Sequence, residues 1–241
     1  MKNEAFIRFE MLAGKDAVTM LSDKKVIVFG VGGVGGYVCE ALARSGVGRI
    51  DVVDNDTVSL SNINRQIIAL VSTVGRNKTD VVKERMTQIN PEIICNTFNM
   101  FYLPETAQEI DLSVYDYAVD AIDTVSGKME IIKRCKEVNV PVISSMGTGN
   151  KLDPTKIQIT DIYKTSGCPL ARVMRGLCRK NGIDSLEVVY SKEEPRKPFF
   201  QPQSDKAENE KRSVPSSSAF VPPAAGLTIA YRVVSKLAQL R

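Results

Sequence analysis

Apolar positions along this chain gather in short β-branched runs. Between the runs, apolar residues recur every three or four positions. That alternation predicts β-α-β units around a mostly parallel sheet. The runs place strands over 25–29, 49–53, 93–98, 117–122, 140–144, 157–162 and 186–190. Helical spacing covers 34–45, 78–89, 126–138, a stretch opening at Pro169, and 224–240. Asn90-Pro91 stops the second of these helices, and 104–109 reads as a short helix or turn. Ahead of the first strand, 5–21 reads as one helix, with Phe6, Phe9, Leu12, Val18 and Leu21 as its apolar positions. After the last strand the pattern dissolves. Residues 191–218 are rich in Pro, Ser, Lys and Glu and predict a long mobile loop, in which Phe199 and Phe200 are out of place. The expected organisation is an N-terminal arm (1–24), one nucleotide-binding domain (25–190), the loop (191–218) and a terminal helix (219–241) packed on the same domain. No apolar run approaches the ~18 residues that a membrane-spanning helix needs.

The first strand runs into KVIVFGVGGVGG. Gly30, Gly32 and Gly35 form G-x-G-x-x-G, and Gly33 and Gly36 add two more glycines. Without Cβ atoms the backbone can turn sharply and come close to a phosphate, and the helix that follows aims its N–H groups at that anion. Asp54 ends the second strand, where a carboxylate meets a ribose hydroxyl, and Asp56 follows it. Strand, turn, helix, strand and acid together make a nucleotide site, open to either NAD or ATP.

Composition narrows the chemistry. The chain has no histidine, which excludes Ser-His-Asp triads and any histidine base or metal ligand. Its five cysteines are scattered without a C-x-x-C pair, which argues for reduced thiols and against a four-cysteine zinc site. With no apolar signal-peptide core in MKNEAFIRFEML, a cytoplasmic protein is expected. The net charge of +4 permits an RNA partner without requiring one.

Asn62, Arg65 and Gln66 are spaced to share one face of a short helix beside Asp54, and Lys78 opens the next helix. Asp123 stands just past the fourth strand, at the sheet edge where ligands bind, although Asp123 or Thr124 would equally serve as a helix N-cap. Ser166 or Gly167 would cap the helix that opens at Pro169. On that helix Arg172, Arg175 and Arg179, with Lys180, make a basic stripe suited to phosphates or simply to water. Hydride transfer has no evident use for an arginine, a lysine and a strand-end carboxylate around the phosphates. Attack on a nucleotide phosphate does: the cations and a Mg²⁺ on the carboxylate would neutralise the charge that gathers there. A substrate carboxylate would be an adequate nucleophile without any base.

GVGGVG, DVVDNDTVSLSNINRQ, GRNKTDVVKERMTQINPE and DAIDT resemble the ubiquitin-activating, ThiF, MoeB and HesA superfamily of carboxylate-adenylating enzymes. ISSMGTGNKLDPTKIQITDIYKTSGCPLARVMR and SSSAFVPPAAGL are similar to one branch of it, the tRNA threonylcarbamoyladenosine dehydratases. The resemblance covers nearly the whole chain. It implies a Rossmann-like α/β fold, ATP with Mg²⁺, and a homodimer. It implies nucleotide binding by Gly30, Gly32, Gly33, Gly35, Asp54, Asp56, Asn62, Arg65, Gln66 and Lys78. Asp123 would hold Mg²⁺, and Arg8 would reach the γ-phosphate, often from the partner subunit. Arg65, Lys78, Asp123 and Arg8 form the expected catalytic set. The implied reaction adenylates the threonyl carboxylate of N6-threonylcarbamoyladenosine beside the anticodon, after which the carbamoyl group closes the ring. Arg172, Arg175, Arg179, Lys180 and the 191–218 loop are candidate tRNA contacts. The chain departs from the sulfur-carrier activators in lacking zinc cysteine pairs, so no zinc is expected. Cys168 is the one thiol placed to capture a carrier, against the commoner fate of a buried cysteine, and Ser216-Ser217-Ser218 stands where some relatives have another. Two alternatives stay open, an activator of a ubiquitin-like sulfur carrier and an NAD-dependent oxidoreductase. A sulfur-relay partner and a Na⁺ or K⁺ in the SMGTGN loop are also left open.

Overall fold

Strand alternation divides the core in two. Val26 and Val28 of β1 (Lys25–Phe29) point to one face of the sheet, Ile27 and Phe29 to the other, and all four are buried. The computed structural model describes residues 2–200 and 214–240. Its sheet has seven strands in the order β3-β2-β1-β4-β5-β7-β6. Besides β1 these are β2 (Arg49–Val53), β3 (Thr97–Phe98), β4 (Tyr117–Asp120), β5 (Val142–Ser145), β6 (Ile157–Asp161) and β7 (Glu187–Ser191). All neighbours pair in parallel except β6, which lies antiparallel on β7. On the first face Val26, Val28, Ile50 and Val52 pack with Val38 and Leu42 of α3 (Gly35–Arg44) and Ile229 and Val233 of α7 (Val221–Leu237). On the second, Ile27 and Phe29 pack with Ile131 and Ile132 of α5 (Val125–Glu137) and Met174 and Cys178 of α6 (Pro169–Lys180). The helix α4 (Lys78–Ile89) completes the first layer through Val81, Val82 and Met86.

From β1 the chain steps one way to β2 and β3, and from β4 the other way to β5 and β7. The reversal between β1 and β4 opens a crevice at the carboxyl ends of the strands, the place where α/β sheets bind ligands. α7 crosses close behind that crevice. A Cβ on Gly226 would fall 2.4 Å from the Val34 carbonyl, so only glycine lets the two helix backbones approach this closely.

Several elements differ from the sequence expectation, each for a local reason. The arm is two helices, α1 (Lys2–Ala13) and α2 (Lys15–Ser22), broken at Gly14 with φ +90°. Phe6 and Leu21 are buried, but Leu12, just before the break, is exposed. The third strand shrinks from six residues to Thr97–Phe98, with Ile94 forming only an isolated bridge to Arg49. Asn96 N donates to the Asp51 carboxylate at 3.0 Å, so a side chain takes the place of a ladder partner. The fourth strand ends at Asp120. Neither Asp123 nor Thr124 caps α5: Thr124 occupies the N-cap position without a side-chain bond. Cys168, not Ser166 or Gly167, is the N-cap residue of α6. α7 begins at Val221 and takes Pro222 and Pro223 into its first turn, where a missing N–H does no harm. Residues 201–213, the middle of the expected loop, lie outside the described residues. Among the described residues no helix is long and apolar enough to cross a membrane.

Candidate functional site

A cavity of ≈ 740 Å³ fills the crevice, walled by the glycine turn, the ends of β2, β4 and β5, and the start of α6. Gly30 turns the chain at φ +82°, where a Cβ would meet the Ala121 carbonyl at 2.8 Å. At Gly35 a Cβ would fall 1.7 Å from the Gly30 carbonyl. The third glycine of the motif therefore exists for the packing of turn against helix. Gly32 faces the open side, with only the Gln66 amide near it, at 3.6 Å from a Cβ there. α3 has no side-chain cap, so its N-terminal dipole end stays available to an anion.

Asp54 ties this turn to the next loop. One carboxylate oxygen accepts from Val31 N at 2.8 Å, the other from Asp56 N at 2.9 Å. Burial pushes the Asp54 carboxyl above its ordinary value, against the pull of Lys78 and the two N–H donors. Lys78 is buried, and its ammonium sits 2.6 Å from the more exposed Asp56 carboxylate. Asn62 ends a 3₁₀ turn (Leu60–Asn62), and Arg65 and Gln66 follow in the next turn rather than along one regular helix. The Arg65 guanidinium is half-buried, which lowers its pKa, and it donates to the Ser61 carbonyl and the Asn64 amide. Among the described residues the buried Gln66 Oε1 has no hydrogen-bond partner. An orphaned acceptor on the cavity wall is the mark of a site that expects a donor from a ligand or a bound water.

Asp123 is exposed on the opposite wall. Its loop is braced by groups that sequence reading missed. Asp120 and Lys128 form a fully buried ion pair at 3.0 Å, and Lys128 Nζ also donates to the Ile122 carbonyl at 2.9 Å. Ser144 donates to the other Asp120 oxygen at 2.5 Å. One carboxylate thus fixes both the loop bearing Asp123 and the strand leading to Met146–Lys151. A lysine in an amphipathic helix normally reads as solvated, so no local signal marks Lys128. Among the described residues no group of three or more His, Cys, Asp or Glu side chains is arranged to hold a metal by itself.

The far end of the cavity combines apolar side chains with Thr148, Asn150, Lys151 and Ser216. Met146, Cys168, Leu170, Pro195 and Pro215 line it. Asn150, at φ +62°, holds two distant segments there: its carbonyl accepts from Arg196 N at 2.8 Å, and its amide oxygen from Ser216 N at 2.7 Å. Asn64 donates to the Ser217 carbonyl at 3.1 Å from the nucleotide-motif side.

The structure brings Gly30, Gly32, Gly33, Asp54, Asp56, Asn62, Arg65, Gln66, Lys78 and Asp123 to one cavity. It does not bring Arg8 there within one chain. Arg8 is exposed on α1, whose Phe6 packs beside Gly46 at the opposite end of α3, ~15 Å of helix away from the turn. The basic stripe leads off from the cavity along α6. Arg172, Arg179 and Lys180 are exposed, whereas Arg175 is half-buried and bonded to the Thr165 carbonyl at 2.7 Å. The Arg179 guanidinium lies 5.3 Å over the Tyr163 ring.

The ThiF family matches residues 6–238. The tRNA threonylcarbamoyladenosine dehydratase of Bacillus subtilis is 45% identical over 241 residues, 96% of this chain and 94% of the relative. The crystal structure of the E. coli tRNA N6-threonylcarbamoyladenosine dehydratase TcdA with AMP superposes at TM-score 0.87 and 32% identity, covering 98% of this chain and 95% of that one. The same enzyme with ATP gives TM-score 0.85 at 33% identity, covering 99% and 97%. From the first helix to the last, then, the chain belongs to the ThiF family, on the branch that carries the tRNA threonylcarbamoyladenosine dehydratases.

Proposed function

We propose that this protein is an ATP-dependent dehydratase of N6-threonylcarbamoyladenosine in tRNA, acting beside the anticodon. The observation that carries the reading is near-full-length similarity to enzymes of that name, one of them solved with ATP and with AMP, on a chain whose phosphate turn opens into a two-ended cavity. In this reading Gly30, Gly32 and Gly33 let the backbone meet the phosphates, Asp54 takes the ribose, and Asn62, Arg65 and Lys78 hold the triphosphate. Lys78 exchanges Asp56 for a phosphate. Gln66 Oε1 gains its missing donor.

Mg²⁺ suits the donor set. Asp123, which among the described residues belongs to no group of three or more acidic, cysteine or histidine side chains, fits an ion that arrives on the nucleotide's own phosphates. Bound there, the ion would neutralise charge gathering on the α-phosphate. The threonyl carboxylate attacks that phosphorus and pyrophosphate leaves. The carbamoyl nitrogen then attacks the activated carbonyl, loses its proton, and AMP departs with the carboxylate oxygen. The net change in the nucleoside is loss of one water. Ring closure is intramolecular, so high effective molarity drives it without an enzyme nucleophile.

The test is nucleoside mass spectrometry after incubation with ATP, Mg²⁺ and tRNA bearing threonylcarbamoyladenosine. The expected result is a product lighter by one water, formed at least about 100-fold more slowly by Asp123→Asn. No product, with AMP released only when a small carrier protein with a Gly-Gly tail is added, would replace this reading with sulfur-carrier activation.

Two further assignments belong to the same reading. Arg8 acts across a homodimer, because its own cavity lies at the other end of the sheet. Mixing Arg8→Ala with Asp123→Asn, each nearly inactive, should restore a substantial part of the activity in mixed dimers; no recovery would mean that Arg8 does not act across the dimer, and an Arg8→Ala variant as active as wild type would place Arg8 outside the reaction. The exposed α6 cations, with Arg175 behind them, meet the tRNA backbone. Reversing Arg172 and Arg175 to Glu should weaken tRNA binding about tenfold and flatten its salt dependence. An unchanged salt slope would remove α6 from the interface.

A further inference from the structure

We propose that Lys151 is the residue that receives the substrate's carboxylate before it attacks the nucleotide. The inference rests on the dehydratase reading and adds a recognition site at the end of the cavity opposite the phosphates.

Lys151 lines the cavity with Met146, Gly147, Cys168 and Leu170, yet is only 3% exposed. Among the described residues its ammonium makes one hydrogen bond, to the Ser191 carbonyl at 2.9 Å. Three N–H donors are available, so two remain. Among the described residues it forms no ion pair within 4.0 Å. Glu193 is the acid that acts on it electrostatically, but that carboxylate is spent elsewhere. One oxygen accepts from Leu152 N and Asp153 N, at 2.9 and 2.8 Å, and the other from Arg196 at 3.1 Å. Burial lowers the Lys151 pKa, with Cys168 and Glu193 acting the other way.

A buried ammonium held by one neutral acceptor is unfavourable until an anion joins it. The cavity therefore has two cationic ends. Arg65 and Lys78 stand beside the glycine turn, and Lys151 is the one basic residue on the wall built from 145–151 and 168–170. A reaction between two anions needs this division. A carboxylate approaching a triphosphate is repelled unless a separate cation holds it in place. The other residues of that wall, among them Met146, Thr148, Asn150 and Leu170, bring no charged side chain to compete for the carboxylate.

The experiment compares an anticodon stem-loop carrying threonylcarbamoyladenosine with one whose threonyl carboxylate is a carboxamide. Binding is measured in the presence of a non-hydrolysable ATP analogue, for wild type, Lys151→Met and Lys151→Arg. Wild type should prefer the acid about 10- to 100-fold, the range of a charged hydrogen bond. Lys151→Met should lose that preference and Lys151→Arg should keep part of it, while the affinity for ATP stays within about twofold in all three. Lys151→Met that discriminates as well as wild type would overturn the proposal, and so would a loss of ATP affinity equal to the loss for the acid. The wild-type comparison stands even where a variant fails to fold. A wild type that dehydrates its substrate but binds acid and amide alike sinks this inference alone. A wild type that does neither removes the dehydratase reading, and this proposal with it.

Discussion

Gly35→Ala should abolish ATP binding and lower the melting temperature, whereas Gly32→Ala should lose ATP affinity and keep its stability. The two glycines look equivalent in the G-x-G-x-x-G motif but answer to different constraints. A methyl group on Gly35 would lie 1.7 Å from the Gly30 carbonyl oxygen, which is bonding distance, and 3.4 Å from Ala121 Cβ. Neither neighbour is a flexible side chain. The start of α3 must back away from β1, taking with it the N–H groups that face the cavity. At Gly32 the nearest obstacle is the Gln66 side chain, 3.6 Å away, an ordinary contact. What a methyl takes there is the space a phosphate would use. Calorimetric titration with ATP, paired with thermal melts, separates the two. Gly35→Ala binding ATP like wild type would refute the packing argument; Gly32→Ala doing so would take the phosphates away from this turn.

Lys128→Met should destabilise the fold by about 3–5 kcal/mol, the usual consequence of removing one partner from a buried pair. For a chain of this size that is a fall in melting temperature of roughly 6–20 °C. Among the described residues Asp120 would remain fully buried with Ser144 as its one side-chain hydrogen-bond partner. The double variant Asp120→Asn/Lys128→Met should recover part of the loss, because no unpaired charge is then buried. A Lys128→Met melt within about 2 °C of wild type would mean that the pair contributes little. Activity carries independent information. Lys128 also fixes the Ile122 carbonyl, next to Asp123, so the double variant should regain stability before it regains turnover.

What could be read from the sequence was what is decided locally. The strands 25–29 and 49–53 and the helix opening at Lys78 match the structure because glycine, proline and apolar period mark them within a few residues. That the residues around the glycine turn share one cavity was legible because the residues flanking a β-α-β turn must converge at the strand ends. The shortened third strand was not legible, because a carboxylate 45 positions away in the chain takes its N–H. Lys128 and Lys151 were passed over for a related reason. A lysine reveals itself as buried only when the elements that enclose it are in place. Asn150 stood in a loop of small residues whose pattern predicts nothing about its partners at 196 and 216.

That last residue sets how freely the protein can vary. Arg196 and Ser216 both fasten to Asn150, so the intervening chain departs from and returns to a single point on the cavity rim. Its ends are joined whatever its length, and the entropy of closing a loop rises by only about 0.6 kcal/mol for each doubling of length. Short of Pro215, which lines the cavity, the region between the two fastenings can therefore be lengthened, shortened or replaced with little effect on the walls of the site. Lineages, or protein engineers, have here a place to append a recognition module beside a reaction centre without rebuilding it.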